Sequence, residues 1–367
     1  MKILYFTSKD PYSNERRGAQ LATLELIKEF NNNSFESGLA AHFHEKPMRK
    51  GEYRLKLPKS KITRKLLLDY LNPIVEKEMF RILNDYKPDL IHFNSLIGFP
   101  IHTINKITKI CPVVITIRDT WIIKYSDKLP KVVNALHARI VLNKINNTLL
   151  IAPSKFIYNK LVSAGSKKVK LIYDCVDMLS ERTSYEKTIL YCGGISPEKG
   201  LHTIIGILDK IHNYRTLVLG EGPMKKNLQE AYRNITFLGY QDPMKYYQKS
   251  SILIMPSICE ESFGRSTAEA MSCGLCVIGS NTGGTPELIK PYETGLLFEP
   301  GNADDFEKKL NYLLDNPEKI QSMGCAASNF IKKKYSYKEM MRNYKETYQE
   351  TIRQFRPIRN NEVCWIE

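Results

Sequence analysis

Two glutamates flank a predicted strand-to-helix turn in the stretch MPSICEESFGRSTAEAMSCG (255–274). We expect a strand to end near Ser257 and a helix to begin near Gly264. Glu261 then lies in the loop, and Glu269 lies about one turn into the helix. The start of a helix favours an anion such as a diphosphate, because its first N–H groups are unpaired and its dipole is positive there. A diphosphate would repel a nearby carboxylate unless that carboxylate bound neutral hydroxyl groups. Two carboxylates flanking the diphosphate therefore indicate hydroxyl groups on both sides of it. The alternative is that the two acids only stabilise the helix dipole.

Three more predicted strands end in glycine-rich turns. GGISPEKG (193–200) carries Lys199 at a helix start, where a lysine opposes the dipole and pairing with a phosphate would explain it. LGEGP (219–223) and SNTGGTPELI (280–289) repeat the order of strand, glycine turn and helix. Taken singly, each could be ordinary turn chemistry with a surface lysine. Together the four turns predict one binding site, because parallel strands end at the same edge of a sheet.

The elements that must position these turns recur along the whole chain. Short apolar runs alternate with helical patterns in both halves, which predicts βαβ units and parallel sheets. Strands are predicted at 2–8, 90–95, 112–119, 149–154, 188–194, 216–222, 235–239, 251–257 and 276–280. Helices are predicted from near Gly18 and at 66–86, 131–147, 199–212, 224–233, 242–249, 265–273, 303–315 and 337–356.

The expected fold class is α/β, with two Rossmann-like doubly wound domains facing each other across a cleft. The chain has 367 residues, which fits two domains at about 100–200 residues each. We place an acceptor-binding domain at 1–180 and a donor-binding domain at 181–336. A capping box, Ser336 to Glu339, opens a last helix in 337–367 that we expect to return to the first domain.

Composition excludes several classes of protein. Hydrophobic residues make up 43% and charged residues 25%, which is ordinary globular usage and argues against wholesale disorder. No apolar run approaches the ~18 residues of a spanning helix. The start, MKILYFTSKDPYS, lacks the apolar core and cleavage site of a signal peptide. We therefore expect a cytoplasmic protein, with peripheral attachment to the inner face of the membrane.

Positive charge is concentrated in the first half. Residues 1–180 hold 30 basic and 16 acidic side chains, whereas residues 181–367 hold 24 and 23. The segment 49–65 is the most basic and contains one acid, Glu52. Its basic residues are Arg49, Lys50, Arg54, Lys56, Lys59, Lys61, Arg64 and Lys65. The segment is either a solvated loop or a landing patch for anionic lipid headgroups.

These residues resemble those of a known family, the retaining, nucleotide-sugar-dependent glycosyltransferases of family 4 (glycosyl transferases group 1), which have the GT-B fold. The most specific match is the E-x7-E element, Glu261 and Glu269, inside PS-x-x-E-E-S-F-G-R-S-T-A-E-A-M-S-C-G. The resemblance covers about 188–350, and the first half matches more loosely. The other matching segments are GGISPEKG, LGEGP, FLGY (237–240), GGTPELI, ETGLLFEPGN (293–302), RRGAQ (16–20), KPDLIHFNS (87–95), VVITIRDTW (113–121), APSKF (152–156) and LIYDCVD (171–177).

The resemblance implies a role for each matching residue. Glu261 contacts hydroxyls of the transferred sugar, Glu269 holds the ribose, and Lys199 pairs with the diphosphate. Asp119 lies on the acceptor side and, with Glu261, is a candidate catalytic residue. The remaining candidate donor-binding residues are Gly18, Gly193, Gly194, Gly222, Phe263, Gly264, Arg265 and Ser266.

Two positions depart from the family pattern. The family usually carries an arginine where this chain has Gly194, so one positive charge on the leaving diphosphate is missing. Arg265 or Arg17 could replace it. The family often has His-Asp where this chain has Arg118-Asp119. An arginine cannot act as a base at pH 7, so we assign Arg118 to binding an acceptor, for example a phosphorylated one.

The resemblance implies transfer of a hexose from a nucleoside diphosphate sugar to a hydroxyl of a lipid-linked or glycan acceptor at the membrane surface. The expected partners are this donor, the acceptor and an anionic membrane surface. The family pattern needs no metal and no other cofactor, and no D-x-D motif is evident, since Asp304 and Asp305 are adjacent. The pair Cys273 and Cys276 has no second pair and no nearby histidine, so we assign both to the core.

Three alternatives stay open. The basic first half could bind nucleic acid, either in a nucleic-acid-modifying glucosyltransferase or in a protein without activity. Against this, Tyr53 is the lone aromatic residue within the basic segment, and no nucleic-acid motif is recognised. The chain could also be a GT-B epimerase or phosphorylase, or an inactive member of the family.

Overall fold

The computed structural model describes residues 1–7, 10–12, 18–32, 35–41, 50–55, 68–125, 129–176 and 184–356. Their contacts divide the chain into two compact units. Unit 1 takes its described residues from 1–172 and from 341 onwards, and unit 2 is Tyr173–Met340. The sequence places the boundaries at 180 and 336. Each unit contains one parallel α/β sheet, which confirms the predicted fold class.

The sheet of unit 1 has seven parallel strands in the order β3-β2-β1-β4-β5-β6-β7. Its strands are β1 Lys2–Thr7, β2 Glu36–Ala41, β3 Glu52–Arg54, β4 Leu90–Phe93, β5 Val113–Thr116, β6 Leu149–Ala152 and β7 Val169–Leu171. The central strands β1, β4, β5 and β6 are apolar runs that are almost wholly buried, as expected where helices cover both faces of a sheet. The order reverses between β1 and β4, and this reversal creates a crevice at the carboxyl ends of the strands.

The helices of unit 1 that precede unit 2 and have both ends among the described residues are α1 Gly18–Asn32, α2 Pro73–Tyr86, α3 Ile101–Ile107, α4 Lys131–Lys144 and α5 Lys155–Ser163. The sequence predicts one helix over 66–86, whereas the structure divides it: residues 68–70 are helical, residues 71–72 are not, and α2 begins at Pro73. Asn72 caps it by accepting a hydrogen bond from Val75 N, and a proline is favoured at the first helical position. The helix ends where Lys87 adopts a left-handed φ of 52° before Pro88.

The sheet of unit 2 has six parallel strands in the order β10-β9-β8-β11-β12-β13. Its strands are β8 Thr188–Cys192, β9 Arg215–Leu219, β10 Ile235–Gly239, β11 Ile252–Met255, β12 Cys276–Ser280 and β13 Gly295–Phe298. A 3₁₀ turn, Pro197–Lys199, precedes α6 Leu201–Leu208, and the later helices are α7 Lys225–Ala231, α8 Met244–Tyr247, α9 Arg265–Ser272, α10 Thr285–Leu288, α11 Ala303–Asp315 and α12 Pro317–Lys334. The strand order reverses between β8 and β11.

All nine predicted strands are present, but four others were not predicted. β3 and β7 are three-residue strands at the sheet edges, β2 begins with Glu-Ser-Gly, and β13 is a four-residue run. β3 also lies inside the basic segment 49–65, which the sequence interprets as a loop or landing patch. The sequence prediction also lacks helices α3, α5 and α12.

The last helix, α13 Tyr337–Gln354, contacts the sheet of unit 1 through two buried tyrosines. Tyr348 Oη lies 2.7 Å from His92 Nδ1, and Tyr344 Oη lies 3.1 Å from Thr116 Oγ1. His92 Nε2 is 2.8 Å from the same threonine oxygen. Burial and the nearby charge of Arg118 lower the pKa of His92 to about 3, so the imidazole is neutral in this network.

Within the described ranges, no helix is both long enough and apolar enough to cross a bilayer.

Candidate active site

The two turns at the strand-order reversal of unit 2 are hydrogen-bonded to each other. The turn after β8 contains Glu198, whose carbonyl oxygen accepts from Ile258 N at 2.9 Å and Cys259 N at 3.1 Å in the turn after β11. Gly200 has a left-handed φ of 71°, and a Cβ there would lie 1.9 Å from the carbonyl oxygen of Pro256. The turn that carries Lys199 is therefore fixed against the turn that carries Glu261.

Lys199 and Glu261 meet directly. Lys199 Nζ donates to Glu261 Oε1, and Ser257 Oγ donates to the same oxygen at 2.9 Å. The lysine and glutamate side chains are 29% and 20% exposed, so the pair is accessible without being fully solvated. Burial lowers the pKa of Lys199, but the charge and hydrogen bond of Glu261 outweigh burial and the net pKa is raised. Lys199 is thus a stable ammonium at the edge of the sheet.

The glycine turn after β12 supports the loop that carries Glu261. Gly284 N donates to the carbonyl oxygen of Glu261 at 2.7 Å. Gly283 has a φ of 60°, and a Cβ on it would lie 2.4 Å from that same oxygen. Phe263, buried in this loop, packs edge-on against Tyr335 with ring centroids 5.5 Å apart. The path of the loop is therefore set by close backbone contact and by one aromatic anchor.

Helix α9 begins directly after this loop. Its N-cap is Gly264, with a left-handed φ of 91° and no capping hydrogen bond from a side chain. Arg265 Nε donates to Glu269 Oε1 at 2.8 Å, one helical turn away, and both side chains are largely buried. Ser266, the second residue of the helix, is partly exposed. An anion at this N-terminus would meet backbone N–H groups at the residue that carries the Arg265 side chain.

The turn after β9 packs against the turn after β8. Gly193 N donates to the carbonyl oxygen of Leu219 at 3.0 Å. A Cβ on Gly222 would lie 2.2 Å from the carbonyl oxygen of Ile195, so this position also requires glycine. Gly194 differs, because the nearest atom to a Cβ there is the carbonyl oxygen of Glu221 at 4.0 Å. Position 194, where the family carries arginine, therefore has room for a side chain.

In unit 1, the candidate acceptor residues follow the carboxyl ends of β4 and β5. Asp119 accepts hydrogen bonds from Trp121 N at 2.8 Å and from Ser95 Oγ at 3.2 Å. Burial raises the pKa of Asp119, although these two hydrogen bonds oppose the rise. Arg118 Nε donates to Asn94 Oδ1 at 2.8 Å. The Asp119 carboxyl group is therefore held by two hydrogen bonds, and the Arg118 guanidinium is held by Asn94.

Ser95 has an unusual backbone conformation, with a φ of 116° that non-glycine residues rarely adopt. Such strain is maintained only where the surroundings determine it, and it is often found at functional sites. The hydroxyl of Ser95 accepts from Ile97 N at 3.3 Å while it donates to Asp119. The strained serine thus orients the candidate carboxylate.

The remaining predicted residues are partly outside the described ranges. Gly18 is the first residue of α1, and Arg17 is not among the described residues. Lys50 and Arg54 are described and exposed. The other six residues of the basic patch lie outside the described residues: Arg49, Lys56, Lys59, Lys61, Arg64 and Lys65.

Sequence reasoning missed four residues that hold the candidates in place. Ser257 binds Glu261, Ser95 binds Asp119, Asn94 binds Arg118, and Tyr191 Oη donates to the carbonyl oxygen of Gly194 at 2.6 Å. Ser257, Ser95 and Asn94 lie just after a strand, where ligands bind in α/β sheets, so their positions in the sequence could have identified them as candidates. The contact between Arg265 and Glu269 could also have been predicted from the sequence, because residues four apart on a helix are neighbours.

Cys273 and Cys276 are buried, as expected of core residues. Among the described residues, no group of three or more His, Cys, Asp or Glu side chains is placed to hold a metal ion. Independence from metals remains a prediction.

Two family models match the chain. The model for Glycosyl transferases group 1 matches residues 180–330, and that for Glycosyltransferase Family 4 matches residues 16–178. Among curated proteins, Sulfoquinovosyl transferase SQD2 of Arabidopsis thaliana is 26% identical over 296 residues, which cover 70% of this chain and 55% of that protein. The chain spans about half the length of the curated relatives it matches.

Two solved structures resemble the whole chain. HepE of Anabaena, in complex with UDP and glucose, has a TM-score of 0.77 and 19% identity, covering 95% of this chain and 99% of its own. Sucrose-phosphate synthase of Thermosynechococcus elongatus has a TM-score of 0.81 and 19% identity, covering 95% of this chain and 98% of its own. Likeness at this level of identity establishes a shared fold.

Proposed function

Because the chain belongs to family 4 of the glycosyltransferases and has the GT-B fold, we propose that it is a retaining, metal-independent hexosyltransferase. In this proposal it moves a hexose from a nucleoside diphosphate sugar to a hydroxyl of a lipid-linked or glycan acceptor at the membrane surface. The observation that carries the proposal is the contact of Lys199 with Glu261 beside the start of helix α9. The UDP and glucose bound by HepE support the class of donor.

The leaving diphosphate would bind at the positively charged part of the site, between Lys199 and the start of α9. Lys199 is an ammonium whose present partner, Glu261, can be exchanged for a phosphate oxygen. The first N–H groups of α9 supply fixed dipoles for the same anion. Preorganised donors of this kind stabilise charge that develops in the transition state, which is the largest contribution to many enzymatic rates.

The two carboxylates would hold neutral hydroxyls. Released from Lys199, Glu261 can accept hydrogen bonds from the hexose, while Ser257 keeps the carboxylate oriented. Glu269 can accept from the ribose, and its pairing with Arg265 leaves the arginine at the diphosphate end of the helix. Arg265 is thus our candidate for the positive charge that Gly194 does not supply.

The transfer step exchanges one bond for another at the anomeric carbon. The bond to the diphosphate oxygen breaks, a bond to the acceptor oxygen forms, and the acceptor hydroxyl releases a proton. We assign Asp119 to the acceptor, because its burial-raised pKa makes its carboxylate a better proton acceptor than an exposed one. Arg118 would bind an anionic group of the acceptor.

The membrane acceptor is supported by the charge of the first half of the chain. The excess of basic over acidic residues lies almost entirely in residues 1–180. Each lysine or arginine near an anionic membrane surface contributes about 1 kcal/mol of attraction. A lipid-linked acceptor would present its hydroxyl at such a surface.

The proposal is tested with a panel of UDP-, GDP- and ADP-sugars. We expect one of them to raise the melting temperature and to be turned over, and Glu261→Ala and Glu269→Ala each to abolish most of this turnover. Glu307→Ala, which removes an exposed glutamate on α11, is the matched control and should behave as wild type. Unchanged turnover in both site variants would show that this is not the donor site.

A further inference from the structure

Helix α4 exposes an apolar stripe to solvent. Val132, Leu136 and Ile140 recur every four residues, and Val133 adjoins them. Their side chains are 79%, 58%, 39% and 43% exposed, in that order. Residues four apart lie on one face of a helix, so these side chains form one surface. Exposed apolar residues are ordinary when scattered singly, but a contiguous group marks an interaction site.

Two further exposed apolar residues lie in the segment 70–74, around the start of α2. In this segment Leu71 is 49% exposed and Ile74 is 68% exposed. Tyr70 fastens the segment to α4, because its Oη lies 2.6 Å from His137 Nδ1. His137 Nε2 lies 2.7 Å from the carbonyl oxygen of Trp121, so Nε2 carries the proton and Nδ1 accepts from the tyrosine. We call the four exposed apolar side chains of α4 the apolar face: Val132, Val133, Leu136 and Ile140.

Folding of α4 does not require this face. The opposite side of the helix packs into unit 1 through Ala138, Val141 and Leu142, which are buried. His137 on that side stacks edge-on against Trp121, with ring centroids 5.0 Å apart. The helix therefore carries apolar residues on both sides, and the outer set is not part of its packing into unit 1.

Basic side chains border the apolar face. Lys131, Arg139 and Lys144 are exposed on α4, and the helix contains no aspartate or glutamate. Apolar residues bordered by lysine and arginine are typical of helices that lie in the interface of an anionic bilayer. A symmetric dimer through the same face would bring these cations of one copy against those of the other, which disfavours a second copy as the occupant.

We propose that the apolar face is a membrane-docking surface that inserts at the boundary between headgroups and acyl chains of a bilayer containing anionic lipids. The proposal rests on the membrane acceptor of the proposed function and identifies the residues that hold the enzyme there. The apolar side chains supply the burial, and Lys131, Arg139 and Lys144 pair with the lipid phosphates.

The test uses the full chain and vesicles of phosphatidylcholine mixed with phosphatidylglycerol. The triple variant Val132→Ser, Leu136→Ser, Ile140→Ser changes exposed residues, and its melting temperature should match wild type. We expect its partitioning onto vesicles to fall at least about tenfold, because the apolar area that enters the bilayer is lost. Val162→Ser, a 47% exposed valine on α5, is the matched control and should bind as wild type. Equal binding of the triple variant, or equal loss in the control, overturns the proposal.

A second variant reports insertion directly. Leu136→Trp should show blue-shifted fluorescence on mixed vesicles and little shift on phosphatidylcholine alone. Absence of a shift would contradict insertion at this helix. Sedimentation velocity addresses the alternative occupant: a wild-type dimer that the triple variant converts to monomer, with vesicle binding unchanged, would identify the face as a contact between copies.

Donor turnover separates this proposal from the proposed function. The triple variant should keep the wild-type rate of donor hydrolysis in the absence of membranes, since its substitutions are at exposed positions of α4 and change none of the candidate donor-binding residues. If wild type hydrolyses none of the sugar nucleotides, the proposed function fails, while the vesicle measurements still decide the docking surface.

Discussion

Gly200 and Pro256 approach so closely that no side chain fits between them. A Cβ on Gly200 would lie 1.9 Å from the carbonyl oxygen of Pro256. This contact joins the turn that carries Lys199 to the turn that leads to Glu261. The separation of the two backbones that carry the ammonium and the carboxylate is therefore set by this packing.

Gly200→Ala should damage both stability and turnover. The left-handed φ of 71° costs an alanine about 1–2 kcal/mol, and overlap with the Pro256 carbonyl adds to it. Gly301→Ala is the control, since Gly301 has a φ of 76° and no atom within 4 Å of its Cβ position. Thermal unfolding and donor turnover should separate the two variants, with the greater loss at Gly200. Equal effects would show that the contact with Pro256 is unimportant.

Lys199→Ala should lower kcat by roughly 10²–10³, the usual cost of removing one group that stabilises transition-state charge. The loss should appear in kcat more than in KM, because the diphosphate gains its full charge only as it leaves. Lys226→Ala, which removes an exposed lysine on α7, should be neutral. A variant at Lys199 with wild-type kcat would exclude this role.

Gly194→Arg should raise kcat/KM for the donor, roughly tenfold, because a charge-assisted hydrogen bond to the diphosphate contributes about 1.5–3 kcal/mol. The nearest atom to a Cβ at this position is 4.0 Å away, so the turn should accept the side chain. Gly194→Ala tests whether position 194 accepts a side chain without adding a charge, and this variant should keep wild-type activity. Loss of activity in the arginine variant alone would mean that the cation is misplaced.

His92 should make unit 1 less stable in acid. Its pKa in the folded protein, about 3, is below the ordinary histidine value of 6.5, so between these values the unfolded chain binds the extra proton. Stability from this residue is therefore complete above pH 6.5 and is lost as pH falls toward 3, by about 1.4 kcal/mol per pH unit.

His92→Gln should flatten the dependence of melting temperature on pH across this range. His212→Gln, at an exposed position in unit 2, should leave the wild-type dependence unchanged. An equally steep curve in the His92 variant would show that the buried imidazole does not contribute to acid lability.

The strands and turns of the site were predictable because local sequence determines them. Apolar runs marked β8 and β11, and the glycines at 193, 200 and 283 marked the turns where backbone approaches backbone. The edge strands β3 and β7 were not predictable, since their polar residues gain stability from a neighbouring strand rather than from burial. The contact of Lys199 with Glu261 spans 62 positions and depends on strand order, which periodicity does not encode.

The tyrosines of α13 have a consequence for synthesis. Tyr348 meets His92 across 256 positions of sequence, so unit 1 lacks part of its interior until residue 348 has been synthesised, after all of unit 2. Unit 2, which is continuous in sequence, can complete its fold earlier. A ribosome that stalls before residue 344 would release a chain whose imidazole and Thr116 face water, a ready target for chaperones and proteases.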